Sequence, residues 1–198
     1  MWLSKTRFAA KRRSLRSARL LKPSNTFDFM EILLCTIGFA GKTAEEFFRL
    51  LAEARIEKLI DIRLNRGGQL SGFAKHPDLE YFLQKVARIG YSHEPQLAPT
   101  SELLDTYRES KDWPAYETGF LALMRERGVP QAFDANTWPP RVTLLCSEAG
   151  PEKCHRRLVA DLLASHWRAQ GHNIEIRHLV TTRSKSSKTR RAKPKSVP

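Results

Sequence analysis

Two cysteines and a histidine lie close together in the last third of the chain. Cys146 ends a short apolar segment, and Cys154 and His155 follow a turn that contains Gly150 and Pro151. A thiol at the start of a helix has a lowered pKa, because the helix dipole stabilises the thiolate. This pattern predicts a nucleophilic or redox-active cysteine.

Proton-transferring and cationic side chains accompany the two thiols. Glu148 and His155 are both side chains that serve as general acids or bases. Arg156 is predicted to bind an anionic group such as a phosphate or a carboxylate, bidentately where the geometry permits. We therefore predict one site in which Cys146, Glu148, Cys154 and His155 are catalytic.

Three alternative interpretations fit the same residues. Cys146 and Cys154 form a reversible disulfide if their sulfur atoms meet across the turn. Alternatively, these thiols and His155 bind Zn²⁺, with His93 or Glu148 as the fourth ligand. The last alternative is packing alone, in which one cysteine is a buried strand residue and the other fills the start of a helix.

The elements that must position these side chains follow a strand, helix, strand order. Continuous apolar runs at residues 31–37 and 58–62 are typical of strands buried on both faces. Between them, Thr43 and Glu46 form a capping box, which predicts the start of a helix. Further strands are predicted at residues 91–93, 142–145 and 173–178, and the last long helix at 154–170. This order predicts an α/β fold with one mostly parallel sheet flanked by helices, a Rossmann-like three-layer arrangement.

Open α/β sheets bind their ligands beyond the carboxyl ends of the strands. Asp61 and Arg63 lie at that end of the second predicted strand, and His93 lies at the end of the third. Gly38 begins a turn before a helix, where unpaired N–H groups bind anions. The predicted ligand-binding residues are Gly38, Asp61, Arg63, His93 and Arg156.

Basic residues are concentrated at the two ends of the chain. The 198 residues contain 34 Lys and Arg against 21 Asp and Glu, for a formal net charge of +13. Residues 1–24 and 181–198 hold 15 of the basic side chains and no acidic one, so the part between them carries 19 basic and 21 acidic side chains. We predict a basic extension at residues 1–28, an α/β domain at 29–180 and a disordered basic tail at 181–198.

The cysteine count and the hydropathy pattern bear on the cellular compartment in which the chain is expected. Three cysteines are an odd number, which favours a reducing compartment, where structural disulfides are rare. No apolar run approaches the roughly 18 residues that a membrane span requires. We expect a cytoplasmic location and no membrane partner.

Several motifs in the same order resemble the DUF488 family. They are Thr36-Ile-Gly38, Asp61-Ile-Arg63, Phe73, Gly90-Tyr91-x-His93, Cys146-x-Glu148 and Cys154-His155-Arg156. The resemblance spans residues 32–179 and implies a compact α/β domain with a shared site, but no established reaction, cofactor or substrate. The chain departs from the family pattern at Phe39-Ala40, where the family usually has His-Ser. This departure favours a third hypothesis, a relative that keeps the fold and has lost part of the chemistry.

Two classes of function follow from these patterns. The first is a thiol-containing, enzyme-like domain that acts on a small anionic ligand bearing a phosphate or a carboxylate. The alternative is a non-catalytic nucleic-acid-binding or regulatory module that uses its basic tails, whose affinity would fall steeply with salt. The sequence does not define a cofactor beyond the zinc alternative.

Overall fold

A computed structural model of the chain describes residues 31–67 and 71–181. The strands in this part are β1 (Glu31–Gly38), β2 (Lys58–Asp61), β3 (Gly90–His93), β4 (Arg141–Cys146) and β5 (Asn173–Leu179). They form one sheet in the order β3-β2-β4-β1-β5, and every neighbouring pair is parallel. The predicted α/β fold is therefore confirmed, whereas the predicted basic extension and tail fall almost wholly outside the described residues.

Helices cover both faces of this sheet. They are α1 (Ala44–Glu53), α2 (Asp78–Tyr81), α3 (Ser101–Ser110), α4 (Trp113–Glu126) and α5 (His155–Ala169). α2 continues directly into a π-helical segment, Phe82–Ala87. Among the described helices, none combines the length and the apolar content needed to cross a membrane.

β4 lies at the centre of the sheet, between β1 and β2. The predicted parallel relation of β1 and β2 is correct, but the two strands are not neighbours, because β4 pairs with both of them. Gly38 is in register with Cys146, and Asp61 is in register with Leu145. The carboxyl ends of the three strands therefore meet, with Cys146 between the other two.

Local sequence signals explain where the helices begin. The predicted capping box is present, since the Thr43 N–H donates to Glu46 Oε2 at 2.9 Å and the Glu46 N–H donates to Thr43 Oγ1 at 3.1 Å. Thr100 caps α3 and Asp112 caps α4 in the same way, each accepting a backbone N–H three residues later. The N-cap of α5 is Cys154, which brings a thiol to the helix start.

Two apolar clusters hold the helices on the sheet. The cluster under α4 and α5 includes Phe120, Leu163 and Trp167, all fully buried. The cluster on the opposite face includes Phe47 and Leu51 of α1. Each such side chain contributes roughly 1.5–3 kcal/mol by leaving water, so apolar packing on both faces stabilises the sheet.

Gly38 ends β1 and lies against the loop that follows β4. A Cβ atom at this position would overlap the carbonyl oxygen of Glu148 and would lie 2.8 Å from Nη1 of Arg156. Only glycine allows the loop after β4 to lie against the end of β1. The structure thus gives Gly38 a packing role, and its predicted contact with a ligand stays a prediction.

We expect Gly38→Ala to lower the free energy of unfolding by about 1–3 kcal/mol, as overpacking does in other tightly filled sites. Urea denaturation of the purified variant measures this change. Gly72→Ala is the matched control, because a Cβ atom there meets no atom within 4 Å. Equal stabilities of the two variants would contradict the close approach of the loop to β1.

Candidate functional site

Cys146 and His155 form a pair at the carboxyl edge of the sheet. Cys146 Sγ lies 3.6 Å from His155 Nδ1, and His155 Nε2 lies 3.0 Å from the carbonyl oxygen of Ile62. A carbonyl oxygen only accepts hydrogen bonds, so Nε2 carries a proton and Nδ1 faces the sulfur. The side chains of Cys146 and His155 are both buried. The backbone of β2 therefore orients the imidazole towards the thiol.

Cys154 completes a three-residue cluster. The ligand atoms of Cys146, Cys154 and His155 all lie within 4.8 Å of one another. Both cysteines are unbridged, and the structure brings together the two thiols that the sequence predicts to share a site.

The two thiols differ in their pKa. A hydrogen bond from Cys154, followed by the charge and hydrogen bond of His155, holds the pKa of Cys146 well below its ordinary value despite burial. Burial raises the pKa of Cys154, and the neighbouring Cys146 thiolate raises it further. Burial alone would lower the pKa of His155, but the Cys146 thiolate outweighs burial and raises it. These directions favour a Cys146 thiolate paired with a His155 imidazolium, beside a protonated Cys154.

Arg156 is in the first turn of α5, and its side chain reaches back to the loop that joins β4 to α5. Its guanidinium is only 1% exposed and donates to the carbonyl oxygens of Glu148 at 2.7 Å and Ala149 at 3.3 Å, and to Cys154 Sγ at 3.3 Å. Among the described residues no carboxylate pairs with it, and its Nε has no hydrogen-bond partner. Its charge favours a thiolate nearby. Its predicted contact with a ligand anion stays a prediction.

Lys42, in the turn after β1, is another buried cation. It is 8% exposed and forms no ion pair with another described residue. Burial lowers the pKa of Lys42, and repulsion from Arg156 lowers it further. The turn after β1 and the loop after β4 therefore bring two positive groups close together.

Asp61 and Arg63 form a buried ion pair on the opposite face of the sheet. Arg63 donates from Nε to Asp61 Oδ1 at 2.8 Å and from Nη2 to Asp61 Oδ2 at 2.6 Å, and Nη1 donates to the carbonyl oxygen of Ala74 at 2.8 Å. The Tyr91 hydroxyl donates to Asp61 Oδ2 at 2.9 Å, and the guanidinium carbon lies 5.3 Å from the Phe39 ring centroid. Arg63 also lines the cavity that contains Cys146, Cys154 and His155. Because the side chains of Asp61 and Arg63 have internal partners, the ligand-binding roles predicted for them stay predictions.

His93 and Glu148 were the predicted candidates for a fourth zinc ligand. His93 Nε2 lies 3.0 Å from the carbonyl oxygen of Arg63, and the residue is half-buried on the edge strand β3. Glu148 is exposed, and its backbone carbonyl accepts from Arg156. Neither joins the three-residue cluster of Cys146, Cys154 and His155 in the described part of the chain.

A cavity of about 520 Å³ opens over the cysteines and His155. One wall is aromatic and comes from α3 and α4: Tyr107, Trp113 and Tyr116. Its rim carries Arg108, Lys111, Glu148 and Lys153. Burial raises the pKa of Tyr116, and the charge of the nearby Cys146 thiolate raises it further. Sequence reasoning missed this wall, although the aromatic spacing at positions 107, 113 and 116 was visible.

We expect Cys146 to be alkylated by iodoacetamide much faster than the other two cysteines at neutral pH. Its lowered pKa keeps the thiolate present below the ordinary cysteine pKa of about 8.5, and reactivity falls only when the pH drops through that lowered pKa. Cys35 remains a thiol because burial raises its pKa to about 11. Peptide mass spectrometry after timed alkylation across a pH series measures the three rates.

The control for this prediction is His155→Gln, which removes the imidazolium. We expect its Cys146 profile to shift towards the ordinary thiol range. Equal rates at Cys146 and Cys154 in the unmodified chain would contradict the assignment of the thiolate to Cys146.

Comparison with known proteins identifies the family of the chain. Searches of the curated proteins and of the solved structures found no match. The family model described as "Domain of unknown function DUF488" matches residues 43–163, which is more than half of the 198 residues. That range contains both thiols of the site, His155 and the Asp61–Arg63 pair, and it agrees with the resemblance seen in the sequence. The chain belongs to the DUF488 family.

Proposed function

We propose that the chain is a thiol-dependent transferase or hydrolase in which Cys146 is the nucleophile. One observation carries this proposal: the Cys146 sulfur faces a histidine whose other nitrogen is held by the Ile62 carbonyl, at the floor of a large cavity. An activated nucleophile needs an adjacent base and a third group that orients the base. Cys146, His155 and Ile62 fill these three roles.

The reaction that fits this pair has two steps. The Cys146 thiolate forms a bond to an electrophilic carbon of the substrate, and the bond to the leaving group breaks with its electron pair. The leaving group takes the proton from Nδ1 of His155. In the second step water or another acceptor gives a proton to Nδ1 and attacks the same carbon, which releases the Cys146 thiolate.

The cavity favours a substrate that carries negative charge. Lys111 and Lys153 lie on its rim, and neither forms an ion pair with another described residue. The positive end of α5 starts at its floor, because Cys154 is the N-cap and His155 the first helical residue. Helix N-termini and lysines both attract anions. Glu148 is the acidic side chain on this rim, and we assign it no step.

A second candidate function is a zinc enzyme that uses the same three side chains. The 3.6 Å between Cys146 Sγ and His155 Nδ1 is close to the roughly 3.5 Å that separates two ligands of one tetrahedral Zn²⁺. The bond from His155 Nε2 to the Ile62 carbonyl is of the kind that orients metal-binding histidines. Bound zinc would activate a water molecule at a fourth position that faces the cavity.

Activated esters distinguish these two candidates. We expect the full chain to hydrolyse p-nitrophenyl acetate through an acyl group on Cys146, detected by intact-protein mass spectrometry, and to prefer the hemisuccinate ester because of its carboxylate. Cys146→Ser should abolish the adduct, and His155→Gln should lower the rate by about 10²–10⁴-fold. Cys35→Ser is the matched control and should leave the rate unchanged.

Elemental analysis of the same protein supplies the decisive comparison. The thiolate proposal expects no stoichiometric zinc and a rate that chelators do not change. One zinc per chain together with loss of the rate on chelation would overturn it in favour of the metal candidate.

A further inference from the structure

One wall of the cavity consists of aromatic side chains that have no role in the proposed thiolate reaction. Tyr107 of α3 and Trp113 and Tyr116 of α4 contact one another, with ring centroids 4.8 Å, 5.3 Å and 5.8 Å apart in the three pairs. All three residues line the cavity. We call this set the aromatic wall.

The aromatic wall is not sealed inside the core. α3 contains no fully buried residue, and Tyr107 and Trp113 are only half-buried. Both pack against the edge of the apolar cluster under α4 and α5 rather than within it. Tyr107 and Trp113 therefore keep part of their surface exposed at the cavity, beside Tyr116, which is only 4% exposed.

Two lysines lie beside this wall. Lys111 ends α3 as its C-cap, and Lys153 precedes the N-cap of α5. Both are exposed, and neither is paired with an acidic side chain in the described part of the chain. Arg108 also lines the cavity, but its guanidinium is bound to Asp105 at 2.7 Å. The two lysines are the cations that remain available to an incoming anion.

We infer that the cavity binds a nucleoside phosphate, with the base on the aromatic wall and the phosphate at Lys111 and Lys153. Every nucleobase has a π-face that stacks on Tyr and Trp side chains, and lysine binds phosphate as a point charge. The volume of about 520 Å³ lies within the 300–1,000 Å³ range typical of small-molecule sites. This inference rests on the proposed function, because it names the substrate class of the Cys146 site.

A nucleoside phosphate reaches such a site either as a free nucleotide or as the end of a nucleic-acid strand. Both sources present a stackable base beside a phosphate. Isothermal titration of the full chain with adenosine and uridine monophosphates, and with short single-stranded oligonucleotides, separates them. Tighter binding of the mononucleotides indicates a free nucleotide, and tighter binding of the oligonucleotides indicates a strand end.

Adenosine and inorganic phosphate, titrated separately, test whether both halves of the ligand are needed. We expect each of them to bind more weakly than adenosine monophosphate. Trp113→Ala should weaken nucleotide binding by about 5- to 150-fold, the loss that follows removal of one stacking partner. The double variant Lys111→Ala and Lys153→Ala should weaken binding and reduce its dependence on salt.

Matched controls exclude a general loss of structure. Tyr81→Ala removes an aromatic ring that is 59% exposed and outside the cavity. Lys85→Ala removes an exposed lysine on the π-helical segment. Both variants should bind nucleotide like the unmodified chain. Absence of binding at millimolar nucleotide, or affinity that Trp113→Ala leaves unchanged, would overturn the inference.

Alkylation of Cys146 in the presence and absence of nucleotide tests the inference and the proposed function separately. Bound nucleotide should slow the alkylation of Cys146 by iodoacetamide, whereas Cys146→Ser should still bind nucleotide. A reactive Cys146 without nucleotide binding would overturn only the substrate class. Nucleotide binding at an unreactive Cys146 would overturn only the thiolate proposal.

Discussion

The buried guanidinium of Arg156 is the constraint on which the rest of the site depends. It is held by two carbonyl oxygens of the loop after β4 and by the sulfur of Cys154, and no carboxylate of the described chain neutralises it. A buried charge is expensive unless an opposite charge lies near it. Carbonyl and sulfur acceptors take the place of that charge around Arg156, and the guanidinium in turn lowers the pKa of Cys154 while burial raises it. The same guanidinium shapes the loop that only a glycine at position 38 can accommodate.

Residues at the end of β2 hold the imidazole of His155 in its orientation. Asp61 and Arg63 lock the end of β2 from the opposite face of the sheet, and Ile62 between them presents its carbonyl oxygen to His155. Phe39 lies against Arg63 and belongs to the same apolar cluster as Leu145. The family usually has His at the position of Phe39, yet this residue is on the side away from the thiols. The departure therefore leaves the pairing of Cys146 with His155 intact.

The sequence predicts the elements better than their arrangement. Apolar runs and the capping box of Thr43 locate the strands and α1, since those signals are local. The place of β4 between β1 and β2 follows from long-range pairing that no local pattern encodes. Arg63 was predicted to bind an anion, and its partner Asp61 is only two residues away, but the sequence does not reveal that both are buried. The aromatic wall was missed because Tyr107 and Trp113 belong to helices with weak periodicity, and their shared cavity exists only after folding.

The protonation state of His155 tests the central claim most directly. Nitrogen-15 NMR of the imidazole rings follows it as a function of pH in the unmodified chain and in Cys146→Ser. The thiolate pair predicts an imidazolium that persists above the ordinary histidine pKa of about 6.5 in the unmodified chain. Cys146→Ser removes the thiolate that offsets burial, so the pKa of His155 should fall in this variant. A neutral His155 at neutral pH in the unmodified chain, or a titration that Cys146→Ser does not change, would contradict the account.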